Sequence, residues 1–191
     1  MARILFIGID FHSYPREIRA AGERLGHTVD FHPLEDRSFA AKTAKKLAGG
    51  IYRKQLDAYH RRIVEQSAGK DYDVVLFIQV HHMAPETVQR LRELHPSARF
   101  VLYNWDSLTT HDFTPWLPFF DHAATFDPED AEALGIAYLP LFAIPTFFEI
   151  DRDRPKDFDL YFVGAIGTLH RFDALARLHA FAEQHGLATH F

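Results

Sequence analysis

The stretch Arg3–Ile9 reads RILFIGI, a short and uninterrupted apolar run, and it decides the fold class. Strands of a parallel sheet that is covered on both faces have this pattern. Strands of a sheet with one solvent-exposed face alternate apolar and polar residues. A second run of the same kind, DVVLFIQV, occupies residues 73–80. Both runs are therefore predicted to be buried strands.

Amphipathic segments separate the predicted strands along the chain. Pro15 stands at the start of the first such segment and Gly26 at its end, which are favoured positions for proline and glycine in helices. The predicted strands are 3–9, 27–32, 73–80, 99–103, 121–126 and 136–139, and the helices among them include 15–25, 85–94 and 128–134. Because strands joined by helical crossovers are typical of α/β proteins, we predict a Rossmann-like parallel sheet.

An insertion at residues 37–68 lies between the second and third predicted strands and has a helical pattern. At about 100° per residue its apolar residues share one face, with Lys54 and Arg61 on the far side; they are Tyr52, Leu56, Tyr59 and Ile63. The cations of this region are Lys42, Lys45, Lys46, Arg53, Lys54, Arg61 and Arg62. They suit a solvated helix face, peripheral contact with an anionic membrane surface, or a charged acceptor.

The strand and helix alternation breaks at residues 140–155 and then starts again. Three prolines and the charged run DRDR at 151–154 indicate a linker there. A strand at 159–164, a helix at 171–185 and a strand at 187–191 are predicted beyond it. We therefore expect a Rossmann-like N-terminal domain at 1–148, followed at 149–191 by a linker and the start of a second, truncated Rossmann-like domain.

Composition limits the compartment and the partners of the protein. The 191 residues include no cysteine, which excludes disulfides and thiolate metal sites and favours the cytoplasm. The N-terminal apolar run is too short for a signal peptide, and no run approaches the roughly 20 residues that cross a bilayer. The net charge of −5 argues against nucleic-acid binding, because phosphate contacts need a clustered cationic surface.

The loops that follow the strands hold the candidate catalytic residues, since open parallel sheets bind ligands beyond the carboxyl ends of their strands. His12 follows the first strand and is our predicted general base. Asp106 follows the fourth strand and is predicted to orient a substrate hydroxyl. A histidine bonded to backbone and an aspartate in an Asx turn or helix cap are the structural alternatives.

The sequence favours neither a metal site nor a bound dinucleotide. His81 and His82 point in different directions on an extended backbone, so they make a poor pair of ligands. The neighbours His111 and Asp112 share this weakness. The first loop also lacks the G-x-G-x-x-G pattern of a dinucleotide-binding turn. We therefore predict no metal and no cofactor.

A glycine turn opens the second predicted domain. Gly164 and Gly167 lie between the predicted strand and its helix, where exposed backbone N–H groups favour a phosphate. Arg171 can add a bidentate contact. The three residues are our predicted binding site for an anionic group, and a merely tight turn between strand and helix is the alternative.

Several phrases of the sequence together resemble the CgeB-type glycosyltransferases, a bacterial group named for a spore maturation protein. They are DYDVVLFIQ, RFVLYNWDS, FFDHAATFDPEDAEALGIAYLPLFA and DLYFVGAIGTLHR, and the resemblance covers most of residues 70–175. It implies the GT-B architecture, in which two Rossmann-like domains face a cleft, with the acceptor on the N-terminal domain and the nucleotide-sugar on the other. In that arrangement His12 and Asp106 line the acceptor side, and Gly164 and Arg171 lie by the donor diphosphate.

The resemblance further implies metal-independent transfer of a sugar from a nucleotide-sugar donor to a saccharide or lipid-linked acceptor, in bacterial surface polysaccharide biosynthesis. The acidic donor motif of such enzymes would follow Phe191, so this fragment alone is expected to be a poor catalyst. The plain alternation of the first domain leaves an alternative, a non-catalytic flavodoxin-like or receiver-like binding module. A small hydrolase lacks support, because the sequence has neither a G-x-S-x-G motif nor a cysteine.

Overall fold

The computed structural model describes residues 1–36, 38 and 49–191, and the chain divides into two compact units. The first unit is Met1–Ile144 and the second is Pro145–Phe191. Our predicted boundary, between residues 148 and 149, falls four residues after this division.

A parallel sheet of six strands forms the centre of the first unit. The strands are β1 (Arg3–Gly8), β2 (Thr28–Pro33), β3 (Val74–Ile78), β4 (Arg99–Asn104), β5 (His122–Thr125) and β6 (Ala137–Tyr138). The helices are α1 (Tyr14–Arg24), α2 (Gly49–Ser67), α3 (Pro85–Leu94) and α4 (Pro128–Leu134), with a 3-10 helix at Thr114–Phe119. The spatial order is β2-β1-β3-β4-β5-β6, and every neighbouring pair is parallel. The predicted α/β fold is confirmed, with the strand order of flavodoxin-like sheets.

Strand β1 shows why the centre of this sheet needs an unbroken apolar run. Leu5 and Ile7 belong to the larger buried cluster, together with Val64 of α2 and Val88 of α3. Phe6 belongs to a second cluster, against which Ile18 of α1 packs. Successive side chains of a strand point to opposite faces, so the helices must cover both faces of the sheet.

Helix α2 confirms the amphipathic pattern of the insertion. Leu56 and Ile63 are buried, and the hydroxyl of Tyr59 donates to the Pro33 carbonyl at 2.8 Å. Lys54 and Arg61, on the far side, are exposed. The other predicted cations include Lys42, Lys45 and Lys46, which lie outside the described residues. Among the described helices, none combines the length and the apolarity needed to cross a bilayer.

Two aspartates fasten the amino ends of neighbouring strands. The Asp73 carboxylate accepts from the backbone N–H of Arg3 at 2.7 Å. The Asp121 carboxylate accepts from the backbone N–H of Phe100 at 2.8 Å and, through both oxygens, from the Arg92 guanidinium at 2.6 and 3.1 Å. These contacts lie at the amino ends of the strands, opposite to their carboxyl ends.

The second unit is a small strand, helix and strand arrangement. Strands β7 (Leu160–Tyr161) and β8 (Thr189–His190) pair in parallel, and α5 (Leu169–His185) connects them. The predicted element types are confirmed, but each strand has two residues instead of the five or six predicted. Ala182 is the one buried residue between Pro145 and Phe191, a range that the structure describes in full.

Candidate functional site

A pocket of about 320 Å³ opens beyond the carboxyl ends of β1, β3 and β4. Its lining residues are Ile9, Phe11, Tyr14, Gln79, Trp105, Asp106, Leu141 and Phe142. The chain leaves β1 toward β2 on one side and leaves β3 toward β4 on the other, so the loops diverge between β1 and β3. Ligands of doubly wound sheets bind at such a divergence.

Aromatic rings form one wall of the pocket. Tyr14 lies edge to face with Trp105, with ring centroids 5.7 Å apart, and with Phe142 at 5.6 Å. Trp105 and Phe142 also meet at 5.8 Å, so the three rings support one another. Phe11 stacks on Tyr14 at 6.3 Å and is 53% exposed. The pocket therefore has an aromatic wall whose rings hold one another in place.

Asp106 and Gln79 supply the polar end of the pocket. The Gln79 amide donates to Oδ2 of Asp106 at 2.5 Å, and the Asn104 side chain donates to the Asp106 carbonyl. Gln79 has a φ of 63°, in the left-handed region that residues other than glycine seldom adopt. Strained backbone of this kind is concentrated at binding sites, where it aims a side chain. The predicted site residue Asp106 is thus held inside the pocket.

Two histidines from different loops lie together beside Asp106. The rings of His81 and His111 stack with centroids 3.8 Å apart and an interplanar angle of 13°. Nε2 of His111 lies 3.8 Å from Oδ2 of Asp106. Burial, reinforced by the neighbours His82 and His111, lowers the pKa of His81 to about 4. The His81 ring is therefore neutral at physiological pH.

The prediction against metal binding compared sequence neighbours, His81 with His82 and His111 with Asp112, and it missed this group. The ligand atoms of His81, Asp106 and His111 all lie within 4.8 Å of one another. The one signal in the sequence was topological, because the loops that carry these residues follow β3 and β4, which are adjacent strands.

His12 lies next to the pocket without lining it. Its neighbours Phe11 and Tyr14 line the pocket, whereas His12 is exposed and has a φ of 50°. The His12 ring contacts the Phe11 ring at a centroid distance of 4.2 Å. The catalytic role of His12 stays a prediction, as does that of Asp106.

The predicted anion site of the second unit is a tightly bonded turn. Helix α5 begins at Leu169, two residues before its predicted start, and Thr168 caps it by accepting from the backbone N–H of Arg171 at 3.2 Å. The Arg171 guanidinium donates to the Ala165 carbonyl at 2.7 Å, within the same turn. A Cβ on Gly164 would lie 2.9 Å from the Phe162 ring, whereas one on Gly167 would meet nothing within 4 Å. The binding roles of the three residues remain predictions.

The sheet order and the crevice between β1 and β3 define the class of the first unit, a flavodoxin-like parallel α/β domain. No family model matches the chain, and no curated protein matches it. The chain is similar to several solved structures at low identity.

MurG from Acinetobacter baumannii is 10% identical with a TM-score of 0.47, covering 86% of this chain and 52% of that one. A response regulator from Burkholderia pseudomallei is 12% identical, with a TM-score of 0.42 and coverage of 72% and 66%. The response regulator TrrA from Thermotoga maritima is 16% identical, with a TM-score of 0.36 and coverage of 71% and 98%. Because each of these TM-scores is below 0.5, the structural similarities do not indicate a function.

Proposed function

We propose that the first unit is the acceptor-binding domain of a GT-B glycosyltransferase, of the CgeB type that the sequence resembles, and that the pocket receives a sugar ring of the acceptor. The aromatic pocket with a carboxylate and an amide at one end carries this proposal. A sugar ring has an apolar C–H face and a rim of hydroxyls, so it needs an aromatic plane beside hydrogen-bonding groups. Trp105 supplies the plane, and Asp106 and Gln79 supply the hydrogen bonds.

Asp106 is proposed to work on the acceptor hydroxyl. Gln79 holds Oδ2 of Asp106, which leaves Oδ1 to accept a hydrogen bond from that hydroxyl. During transfer the hydroxyl oxygen bonds to the anomeric carbon, the bond from that carbon to the nucleotide diphosphate breaks, and the hydroxyl proton passes to a base. Asp106 or His12 takes this proton in the proposed scheme.

The donor side of the proposal rests on the second unit. Gly164, Gly167 and Arg171 would face the diphosphate of a nucleotide-sugar, and the second unit would be the first part of the donor domain. The reaction needs no cofactor besides this donor. The acceptor would be a saccharide or lipid-linked sugar of a bacterial surface polysaccharide, handled in the cytoplasm. The exposed cations of α2, Arg53, Lys54, Arg61 and Arg62, would allow peripheral contact with the inner membrane surface.

Saccharide binding tests the acceptor pocket directly. The 191-residue chain is titrated with a panel of mono- and disaccharides and observed by saturation-transfer NMR. Trp105→Ala and Asp106→Asn are expected to weaken binding about tenfold each, which corresponds to about 1.4 kcal/mol. Tyr138→Ala, an exposed aromatic on β6 outside the pocket, is the matched control and should bind normally. Equal losses in Trp105→Ala and Tyr138→Ala would rule the pocket out.

Turnover measurements test which residues serve the acceptor and which serve the donor. In the complete enzyme with a panel of nucleotide-sugars, His12→Ala and Asp106→Ala should lower kcat and leave donor affinity nearly unchanged. Arg171→Ala should lower donor affinity first. If no donor in the panel binds or turns over, the glycosyltransferase proposal fails.

The strand order favours a second candidate, a flavodoxin-like or receiver-like binding module. The order 2-1-3-4-5 is shared by flavodoxin and by the receiver CheY. This candidate predicts that residues 1–148 fold and bind a protein partner on their own, without nucleotide-sugar turnover by the full-length protein. A requirement for residues 149–191 in partner binding would count against it.

A further inference from the structure

We propose that His81, Asp106 and His111 bind one divalent transition-metal ion, Zn²⁺ by preference, at the edge of the pocket. This metal site goes beyond the proposed glycosyltransferase function, which needs no metal, although it shares Asp106 with the proposed acceptor site. It stands on the side chains that the loops after β3 and β4 bring together.

The two loops bring the donor atoms of the three residues into one group. The ligand atoms of the three residues lie within 4.8 Å of one another. The turn that carries His81 is anchored where the Met83 carbonyl accepts from the Trp116 indole at 2.8 Å. The backbone N–H of His111 donates to the Ser107 carbonyl at 3.0 Å in the other loop. Both ligand-bearing turns are therefore fixed by the fold.

The chemistry of the donors suits a divalent transition-metal ion. Two imidazole nitrogens and one carboxylate oxygen suit Zn²⁺, whose catalytic sites often have three protein ligands and one open position. Nδ1 of His81 is buried and has no hydrogen-bond partner among the described residues. A buried polar atom without a partner calls for an explanation, which a cation bound at Nδ1 would provide.

Second contacts orient the carboxylate ligand. The Gln79 amide donates to Oδ2 of Asp106 at 2.5 Å, an outer contact of the kind that aims metal ligands. Asp106 and Gln79 both line the pocket, so the open position of the ion would face a molecule bound there. A water or a substrate hydroxyl would be its fourth ligand.

Ion binding requires the stacked histidines to separate. A metal lies in the plane of each imidazole that binds it, and two rings stacked at 13° and 3.8 Å cannot share one in-plane ion. The His111 side chain is 42% exposed and can rotate toward the ion, whereas His81 is the more enclosed of the two. Binding should therefore shift the ring NMR signals of both residues.

Calorimetric titration of the chelator-treated 191-residue chain with ZnCl₂ tests the site, and Co²⁺ absorption reports the ligand geometry. One ion per chain is expected, and His81→Ala and His111→Ala should each weaken binding by about tenfold or more. His122→Ala and His170→Ala, exposed histidines outside the group, are matched controls and should bind as the wild type does.

A folding defect is separated from a lost ligand by thermal unfolding. Zn²⁺ should raise the Tm of the wild type and of His122→Ala, because a ligand that binds the native state stabilises it. It should raise the Tm of His111→Ala clearly less, and circular dichroism should show that this variant is folded. The absence of one-to-one binding by the wild type, or undiminished binding by folded His111→Ala, would overturn the site.

Discussion

At the scale of single residues, Asp121 shows how one carboxylate at the amino edge stabilises the sheet. The hydrogen bond from Arg92, with a second from the Phe100 backbone, lowers the pKa of Asp121 to about 2. A carboxyl whose folded pKa lies below its unfolded value of 3.8 adds stability above that value. This stability is lost as the pH falls from about 4 through about 2.

Replacing Asp121 with asparagine should lower the free energy of unfolding by about 1 kcal/mol at pH 7, since water screens a pair that is one-third exposed. The acid-induced loss of stability between about pH 4 and 2 should also become shallower. Urea unfolding at several pH values measures both effects. Glu65→Gln, an exposed carboxylate of α2, is the control and should change neither. If the loss of stability between about pH 4 and 2 is the same in Asp121→Asn as in the wild type, the Arg92 contact does not contribute to stability.

Site residues that follow a single strand could be predicted from the sequence. Side chains that two different loops bring together could not. Asp106 could be chosen because it follows a strand, and the structure places it in the pocket. The stack of His81 on His111 depends on how two turns direct their side chains, and no local pattern encodes that. The left-handed backbone of Gln79 had no signal either, because glutamine has no preference for that conformation.

At the scale of elements, helix α4 is defined by its own end residues. The Asp127 side chain accepts from the backbone N–H groups of Glu129 and Asp130, and Pro128 occupies the first turn. Gly135 ends the helix with a φ of 64°, a conformation that costs other residues more. The predicted bounds of 128–134 are therefore confirmed. The strand predicted at 159–164 is longer than β7. The length of a strand depends on its partner, and β8 offers only two residues for pairing.

Substituting Gly135 with alanine should destabilise the first unit by about 1 kcal/mol, because alanine pays to adopt a positive φ. Gly50→Ala, in the first turn of α2, is the matched control, since its φ is ordinary and nothing lies within 4 Å of an added Cβ. It should be neutral or slightly stabilising. Chemical unfolding followed by tryptophan fluorescence makes the comparison. Equal effects of the two substitutions would contradict the helix-end argument.

For the molecule as a whole, buried and half-buried histidines tie stability to pH. Burial is the main cause that lowers the pKa of His32, His60, His81 and His95 below the usual 6.5. The unfolded chain therefore binds more protons than the folded chain at pH values just below 6.5. Stability is complete above pH 6.5 and falls as the pH drops toward the folded pKa values.

The free energy of unfolding should thus fall by at least about 1 kcal/mol between pH 7 and pH 5. Urea titrations at pH 7, 6 and 5 measure it. His60→Gln, which removes a fully buried ring, should reduce this pH dependence, whereas His170→Gln on the exposed face of α5 should preserve it. Equal stability of the wild type at pH 5 and pH 7 would contradict the assignment.

The two units should also unfold at different denaturant concentrations. The second unit buries one side chain, so little apolar burial holds α5 in place. Both tryptophans, Trp105 and Trp116, belong to the first unit, so fluorescence follows that unit alone. Helix content measured by circular dichroism should begin to fall at lower urea than fluorescence changes. Coincident transitions would show that the chain unfolds as one cooperative body.

The amino ends and the carboxyl ends of the strands constrain the sequence in different ways. Asp73 and Asp121 fasten the amino ends of the strands, while Trp105 and Asp106 line the pocket beyond the carboxyl ends. In a saturation mutagenesis library, changes at the first pair should reduce cellular abundance of the protein, and changes at the second pair should alter ligand choice at near-normal abundance. The carboxyl-end loops can therefore diversify among descendants of this chain while the same sheet is inherited unchanged.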